Sequence, residues 1–145
     1  MISVVRPAYN RRNTVRKAVE SVLNQTERDI ECIVVDDAST DDTVGVLMEI
    51  NDSRLRIIRL TENSGACHAR NVGVQAAKGA YIAFQDSDDC FHPDKLERHL
   101  AFLQETGADG ASCGMNLICG QQMAASPAEF PDKRISRLDL LDDPH

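Results

Sequence analysis

Four short apolar runs alternate with one-faced helical stretches from residue 1 to residue 107, and this order constrains the fold more than any other feature of the chain. Runs that are apolar at nearly every position suit strands covered on both faces, and strands joined through helices build a parallel sheet by right-handed crossovers. The expected architecture is a doubly wound, mostly parallel α/β sheet with flanking helices. Ile2-Ser3-Val4-Val5, stopped by Pro7, reads as the first strand, and the residues from Ala8 to Asn13 as a loop. Val15, Ala18, Val19, Val22 and Leu23 mark one helix face, with Asn13 as its N-cap. Glu31 to Val35 is the second strand, and Ser39-Thr40-Asp41-Asp42 resembles a capping box before a helix that turns Val44, Leu47 and Met48 inward. Leu55 to Leu60 is the third strand. Ala66, Ala69, Gly73, Ala76 and Ala77 form a small-residue stripe implying close approach to the sheet, with Gly79 as the helix stop. Ala80 to Phe84 reads as a buried fourth strand, and Pro93 opens a helix with Leu96, Leu100 and Leu103 inside and Gly107 at its end. Ala111 to Ile118 reads as one more strand, and Gly120 to His145 as a loop-rich tail with a helix around Ile135 to Leu141.

Asp86-Ser87-Asp88-Asp89 directly follows the fourth strand, at the edge where such a sheet exposes its ligand crevice. Carboxylates this crowded repel one another unless a cation shares them, and Mg²⁺ or Mn²⁺ takes one or two carboxylates while leaving positions for substrate phosphates. Asp36-Asp37 ends the second strand, so a second acidic tip opens on the same crevice. A carboxylate there accepts from a nucleobase imide or a ribose hydroxyl, while the other tip holds the cation that bridges a diphosphate.

The 145 residues, 42% of them hydrophobic, suffice for one domain with a core. A net charge of −7 argues against nucleic acid as partner, because that grip needs clustered Lys and Arg. Five cysteines, Cys32, Cys67, Cys90, Cys113 and Cys119, include no C-x-x-C pair and sit mostly in apolar segments as small hydrophobes, which fits a reducing cytoplasm. No run approaches the roughly 20 apolar residues of a spanning helix. His68, His92 and His99 lack ligand spacing with the cysteines and read as solvated or capping residues.

Several segments together resemble one family: Ser3-Val4-Val5-x-Pro7-Ala8-Tyr9-Asn10, Ser21-Val22-Leu23-x-Gln25-Thr26, Glu31-x-Ile33-Val34-Val35-Asp36-Asp37-x-Ser39-Thr40-Asp41, Gly65-x-x-x-Ala69-Arg70-Asn71-x-Gly73, and Lys78-Gly79-x-Tyr81-Ile82-Ala83-Phe84-x-Asp86-Ser87-Asp88-Asp89. Over about residues 1 to 105 the chain looks like a family 2 glycosyltransferase of the GT-A, Rossmann-like fold. The resemblance implies a GT-A nucleotide-sugar-binding domain over 1–119, and a tail over 120–145 leading into an acceptor-binding half that the chain lacks. It implies a UDP-sugar donor, a glycan or lipid-linked acceptor, and inverting transfer at the cytoplasmic face of the cell envelope. Pro7, Ala8 and Tyr9 would hold the base, Asp37 would contact it with Asp36 supporting the turn, and Arg70 would reach the phosphates. Asp86 and Ser87 would face the donor; Asp88, with Asp86, would hold the metal; Asp89 would cap a helix or stand behind the ligands. No catalytic base is assigned. Two positions depart from the family pattern, Arg6 for an aliphatic residue and Gln85 for leucine, and neither is expected to touch the metal ligands. A non-catalytic nucleotide-binding module stays open as an alternative. A nucleotidyltransferase is disfavoured, because Pro7-Ala8-Tyr9-Asn10 lacks a glycine-rich phosphate loop.

Overall fold

The computed structural model describes residues 1–113, 116–119 and 122–125. Strands β1 (Ile2–Ala8), β2 (Ile30–Asp36), β3 (Leu55–Arg59) and β4 (Tyr81–Phe84) form a four-stranded parallel sheet in the order β3-β2-β1-β4. Helices α1 (Val15–Leu23), α2 (Thr43–Met48) and α3 (Ala66–Ala76) connect them, and α4 (Lys95–Thr106) follows β4. The chain steps from β1 through β2 to β3 and then crosses back to lay β4 on the far side of β1. Strand order therefore reverses at β1, the switch point beside which open α/β sheets carry their ligands.

Side chains alternate across the sheet, so Val5, Ile33 and Val35 share one face, and α3 lies on it. The small-residue stripe permits this: a Cβ at Gly73 would stand 2.3 Å from Val5 Cγ1. Helix α1 buries Val15, Ala18, Val19, Val22 and Leu23, the face its periodicity gives.

Several local expectations fail for identifiable reasons. β1 does not stop before Pro7 but runs to Ala8. Val5 O accepts from Gln85 N on the β4 side and Ala8 O accepts from Asp37 N on the β2 side. The ring nitrogen of Pro7 therefore faces the side where β4 has already ended, and no ladder bond is lost. β4 is a sheet edge, with Phe84 53% exposed, so its apolar run does not report burial on both faces. Thr14, not Asn13, is the N-cap of α1, and Asp42 caps α2 without a side-chain bond, while Asp41 Oδ1 accepts from the Thr43 N–H and hydroxyl. Met48 is 75% exposed, because α2 buries the face of Thr43 and Leu47 and Met48 lies about 100° round the helix from Leu47. Gly79 is not a helix stop, since α3 ends at its C-cap Ala77; a Cβ at Gly79 would meet Ser3 N at 2.6 Å and Met1 O at 2.8 Å. Pro93 lies two residues ahead of α4, which begins at Lys95, whereas Gly107 does end that helix, with φ 63° and its N–H on Leu103 O. Cys32 is buried, its thiol pushed up to about 12 by that burial, whereas Cys67, Cys90 and Cys113 are exposed.

The chain divides into two compact units, Met1–Glu97 and Arg98–His145. The sheet belongs to the first. In the second, β5 (Asn116–Cys119) pairs antiparallel with β6 (Gln122–Ala125), so the strand expected over Ala111 to Ile118 begins at Asn116. The helix expected around Ile135 to Leu141 lies outside the described residues.

Candidate functional site

β1 outlasts its neighbour. Its pairing with β4 ends at Val5 and Phe84, while its pairing with β2 continues to Ala8 and Asp36. A cleft of about 340 Å³ opens over the carboxyl end of β1. Pro7 and Ala8 line it, with Tyr9, 41% exposed, beside them. Asp37 enters from the end of β2, Arg70 from α3, and Asp86, Ser87 and Asp88 from the loop after β4. The two acidic tips thus share one cleft.

Asp37 is nearly buried, and its two oxygens accept from the backbone N–H groups of Ser64 and Gly65, each at 2.8 Å. Gly65, the N-cap of α3, has φ 88°, a left-handed conformation with open space around it, so glycine is required by the backbone and not by packing. Asp37 thereby fixes the turn that launches the helix carrying Arg70, and each of its oxygens keeps a lone pair for a ligand. Asp36 points away: it is fully buried, Oδ2 accepts from Ser39 N at 3.2 Å and lies 3.5 Å from Arg59 Nε. It supports the turn.

In the acidic loop, Asp86 and Asp88 present exposed carboxylates. Arg70 Nη2 donates to Asp86 Oδ1 at 2.6 Å, and Arg11 Nη2 lies 3.9 Å from Asp88 Oδ2. Asp89 does not cap α4; it closes a turn, its N–H on Asp86 O at 3.3 Å. Arg11 and Ala66 also line the cleft, and sequence reasoning missed both. Arg11 sits in a run of turn residues with no periodicity to orient it. His68 and His92 do not line the cleft, and His92 Nδ1 pairs with Asp94 at 2.6 Å.

The expectation that Arg6 and Gln85 stay clear of the proposed metal ligands fails for Arg6, whose Nη2 donates to Asp86 O at 2.8 Å. It can do so because at its level β4 has ended and the loop has taken the strand's place. Burial pulls the Arg6 guanidinium below its ordinary value, opposed by the nearby carboxylates of Asp89 and Asp86.

Among the described residues no three His, Cys, Asp or Glu side chains converge to cage a metal. The donor set still fits a hard divalent cation of the kind that takes one or two carboxylates and completes its shell from phosphate and water, because Asp86 and Asp88 offer exposed oxygens at an open cleft.

A parallel sheet with its strand order reversing beside an acid-tipped cleft defines an α/β domain of the GT-A class. The family model described as glycosyl transferase family 2 matches residues 3–141, and the chain belongs to that family. It is similar to TuaG of Bacillus subtilis strain 168, named for teichuronic acid biosynthesis, at 42% identity over 120 residues, 81% of this chain and 48% of that protein. It is similar also to the Escherichia coli UDP-Glc:alpha-D-GlcNAc-diphosphoundecaprenol beta-1,3-glucosyltransferase WfaP, at 42% identity over 104 residues, 72% of this chain and 41% of that protein. Among solved structures, Staphylococcus aureus TarS 1-349 in complex with UDP-GlcNAc superposes with TM-score 0.71 at 33% identity, over 74% of this chain and 32% of TarS. The mannosyltransferase PcManGT of Pyrobaculum calidifontis, in complex with GDP-Man and Mn²⁺, does so with TM-score 0.66 at 28% identity, over 70% of this chain and 32% of that one. The chain spans less than half the length of these relatives.

Proposed function

We propose that residues 1–119 are the donor-binding part of a glycosyltransferase that moves a sugar from a nucleoside diphosphate-sugar, UDP-linked, to a glycan or lipid-linked acceptor in envelope polysaccharide synthesis at the cytoplasmic side of the membrane. The observation that carries this reading is the convergence of Asp37, from the end of β2, with Asp86 and Asp88, from the end of β4, on one cleft. The names of WfaP and TarS with its UDP-GlcNAc support the choice of UDP, and among the described residues no helix is long and apolar enough to cross a membrane.

Pro7, Ala8 and Tyr9 form the floor and lip for the base, and Asp37 offers it an acceptor. Arg70 and Arg11 now pair with the acidic tip, and each can turn its guanidinium to diphosphate oxygens as a charge-assisted donor. Asp88 and Asp86 would hold Mg²⁺ or Mn²⁺, with Ser87 between them. When bound, the cation neutralises charge that grows on the departing diphosphate. Transfer is inverting, by direct displacement, with the base supplied from outside the residues named here.

Calorimetric titration with UDP and then GDP, each with and without Mn²⁺, tests the assignment. Binding of UDP that requires Mn²⁺ and is lost in Asp88→Ala is expected. Unchanged binding in Asp88→Ala removes that residue from its role, and no binding of either nucleotide refutes the reading.

A further inference from the structure

The loop that carries Asp86 and Asp88 is held from beneath by its backbone carbonyls. Arg6 Nη2 donates to Asp86 O at 2.8 Å, Thr14 Oγ1 to Ser87 O at 3.2 Å, and Gln85 Nε2 to Asp89 O at 3.0 Å. Ser21 Oγ joins the network, accepting from Gln85 Nε2 at 3.2 Å and from Phe91 N at 3.1 Å. With the Asp86, Ser87 and Asp89 carbonyls held in this way, the side chains of Asp86 and Asp88 line the cleft.

Arg6 stands out among these supports. It is 0% exposed, and its Nε and Nη1 find no partner among the described residues; Gln85 Oε1, at the root of the same loop, is likewise buried and unpartnered. Burying a guanidinium with two of its donor atoms unsatisfied is costly, and apolar side chains of similar volume in such places are often neutral or stabilising. Arg6 is thus a poor choice for stability alone. What it does provide is a fixed positive charge behind a crowded acidic tip, within electrostatic reach of Asp86 and Asp89.

We propose that Arg6 is a positioning residue, its buried guanidinium gripping the Asp86 carbonyl so that the carboxylates of Asp86 and Asp88 stand preformed for a nucleoside diphosphate and its cation. The inference rests on the donor-binding reading above, and it concerns a residue that does not line the cleft. Preorganisation of this kind lowers the ordering cost of binding without adding a contact to the ligand.

Arg6→Met keeps most of the volume and removes the charge and the grip. Three measurements decide the matter: melting temperature, backbone amide exchange across residues 85–90 in the free chain, and UDP affinity in the presence of Mn²⁺. Expected are a melting temperature equal to or above that of the unsubstituted chain, amide exchange faster by about tenfold in that loop alone, and UDP affinity weaker by about tenfold, the worth of one hydrogen bond to a charged group. Unchanged loop exchange overturns the proposal, and so does faster exchange with unchanged affinity. Arg6→Leu is read in the same way if the methionine variant does not fold; if neither folds, Arg6 serves stability and the proposal is overturned. An unsubstituted chain that binds neither UDP nor GDP refutes the functional reading instead, and the exchange measurement then decides on its own whether Arg6 holds the loop.

Discussion

Replacing Asp37 by alanine tests whether one carboxylate sets the turn into α3. Its oxygens receive two backbone N–H groups, Ser64 and Gly65, each at 2.8 Å. Hydrogen bonds to a charged group contribute about 1.5 to 3 kcal/mol each, so complete loss of both with the donors left dry would cost roughly 3 to 6 kcal/mol. The donors are not left dry. Ser64 and Gly65 are both exposed, so the freed N–H groups turn to water and the cost falls to about 2 to 3 kcal/mol, a large share of a small domain's stability. Asp37→Asn keeps one acceptor and turns an amide donor toward the second N–H, so its loss should lie between wild type and alanine. Urea unfolding at neutral pH measures this as a fall in midpoint at constant slope. An Asp37→Ala chain within about 0.5 kcal/mol of wild type would refute the reasoning, since that is the ordinary range of a surface substitution without structural consequence.

Gly73→Ala should destabilise by about 1 to 2 kcal/mol, because the added methyl meets Val5 Cγ1 at 2.3 Å, and overpacking of that kind outweighs the roughly 1 kcal/mol alanine gains in a helix. Thermal melting followed by circular dichroism checks this, and a rise in melting temperature counts against it. Glu31→Gln should flatten the acid limb of the stability profile. Burial pushes the Glu31 carboxyl up, but hydrogen bonds from the Ser3 hydroxyl, Lys78 N–H and Arg56 outweigh it and hold the group below its ordinary value. A depressed carboxyl adds stability that is fully present above the unfolded value, about 4.3, and is lost as pH falls through the lower folded value. Identical acid slopes in Glu31→Gln and the parent, measured by denaturant unfolding across that range, would contradict the assignment.

The sheet was legible because its signals are collective: four apolar runs and the stripes of α1 and α3 agree on one topology, and topology alone brings the tips of β2 and β4 together. Single-residue rules were less dependable. Pro7 reads as a strand breaker, yet its missing N–H falls on the side that β4 does not reach. Gly79 reads as a helix stop, yet it makes room for the backbone of β1. The apolar run of β4 gives no hint that it is an edge, because exposure depends on which strand lies beside it and not on its own residues. Arg6 was visible as an oddity and Arg11 not at all. Which carbonyl or carboxylate a long arginine finds is decided by elements distant in sequence, such as the loop at Asp86.

The difference in length between β1 and β4 has a further effect. The depth of the recess is written in backbone, as Pro7 and Ala8 of β1, which lie beyond the last β1 residue that β4 pairs with. Side-chain exchange along its walls can retune charge, shape and preference among bases while leaving that depth intact. Lengthening β4 by insertion would do the opposite, filling the hollow with main chain and abolishing it whatever residues lined it.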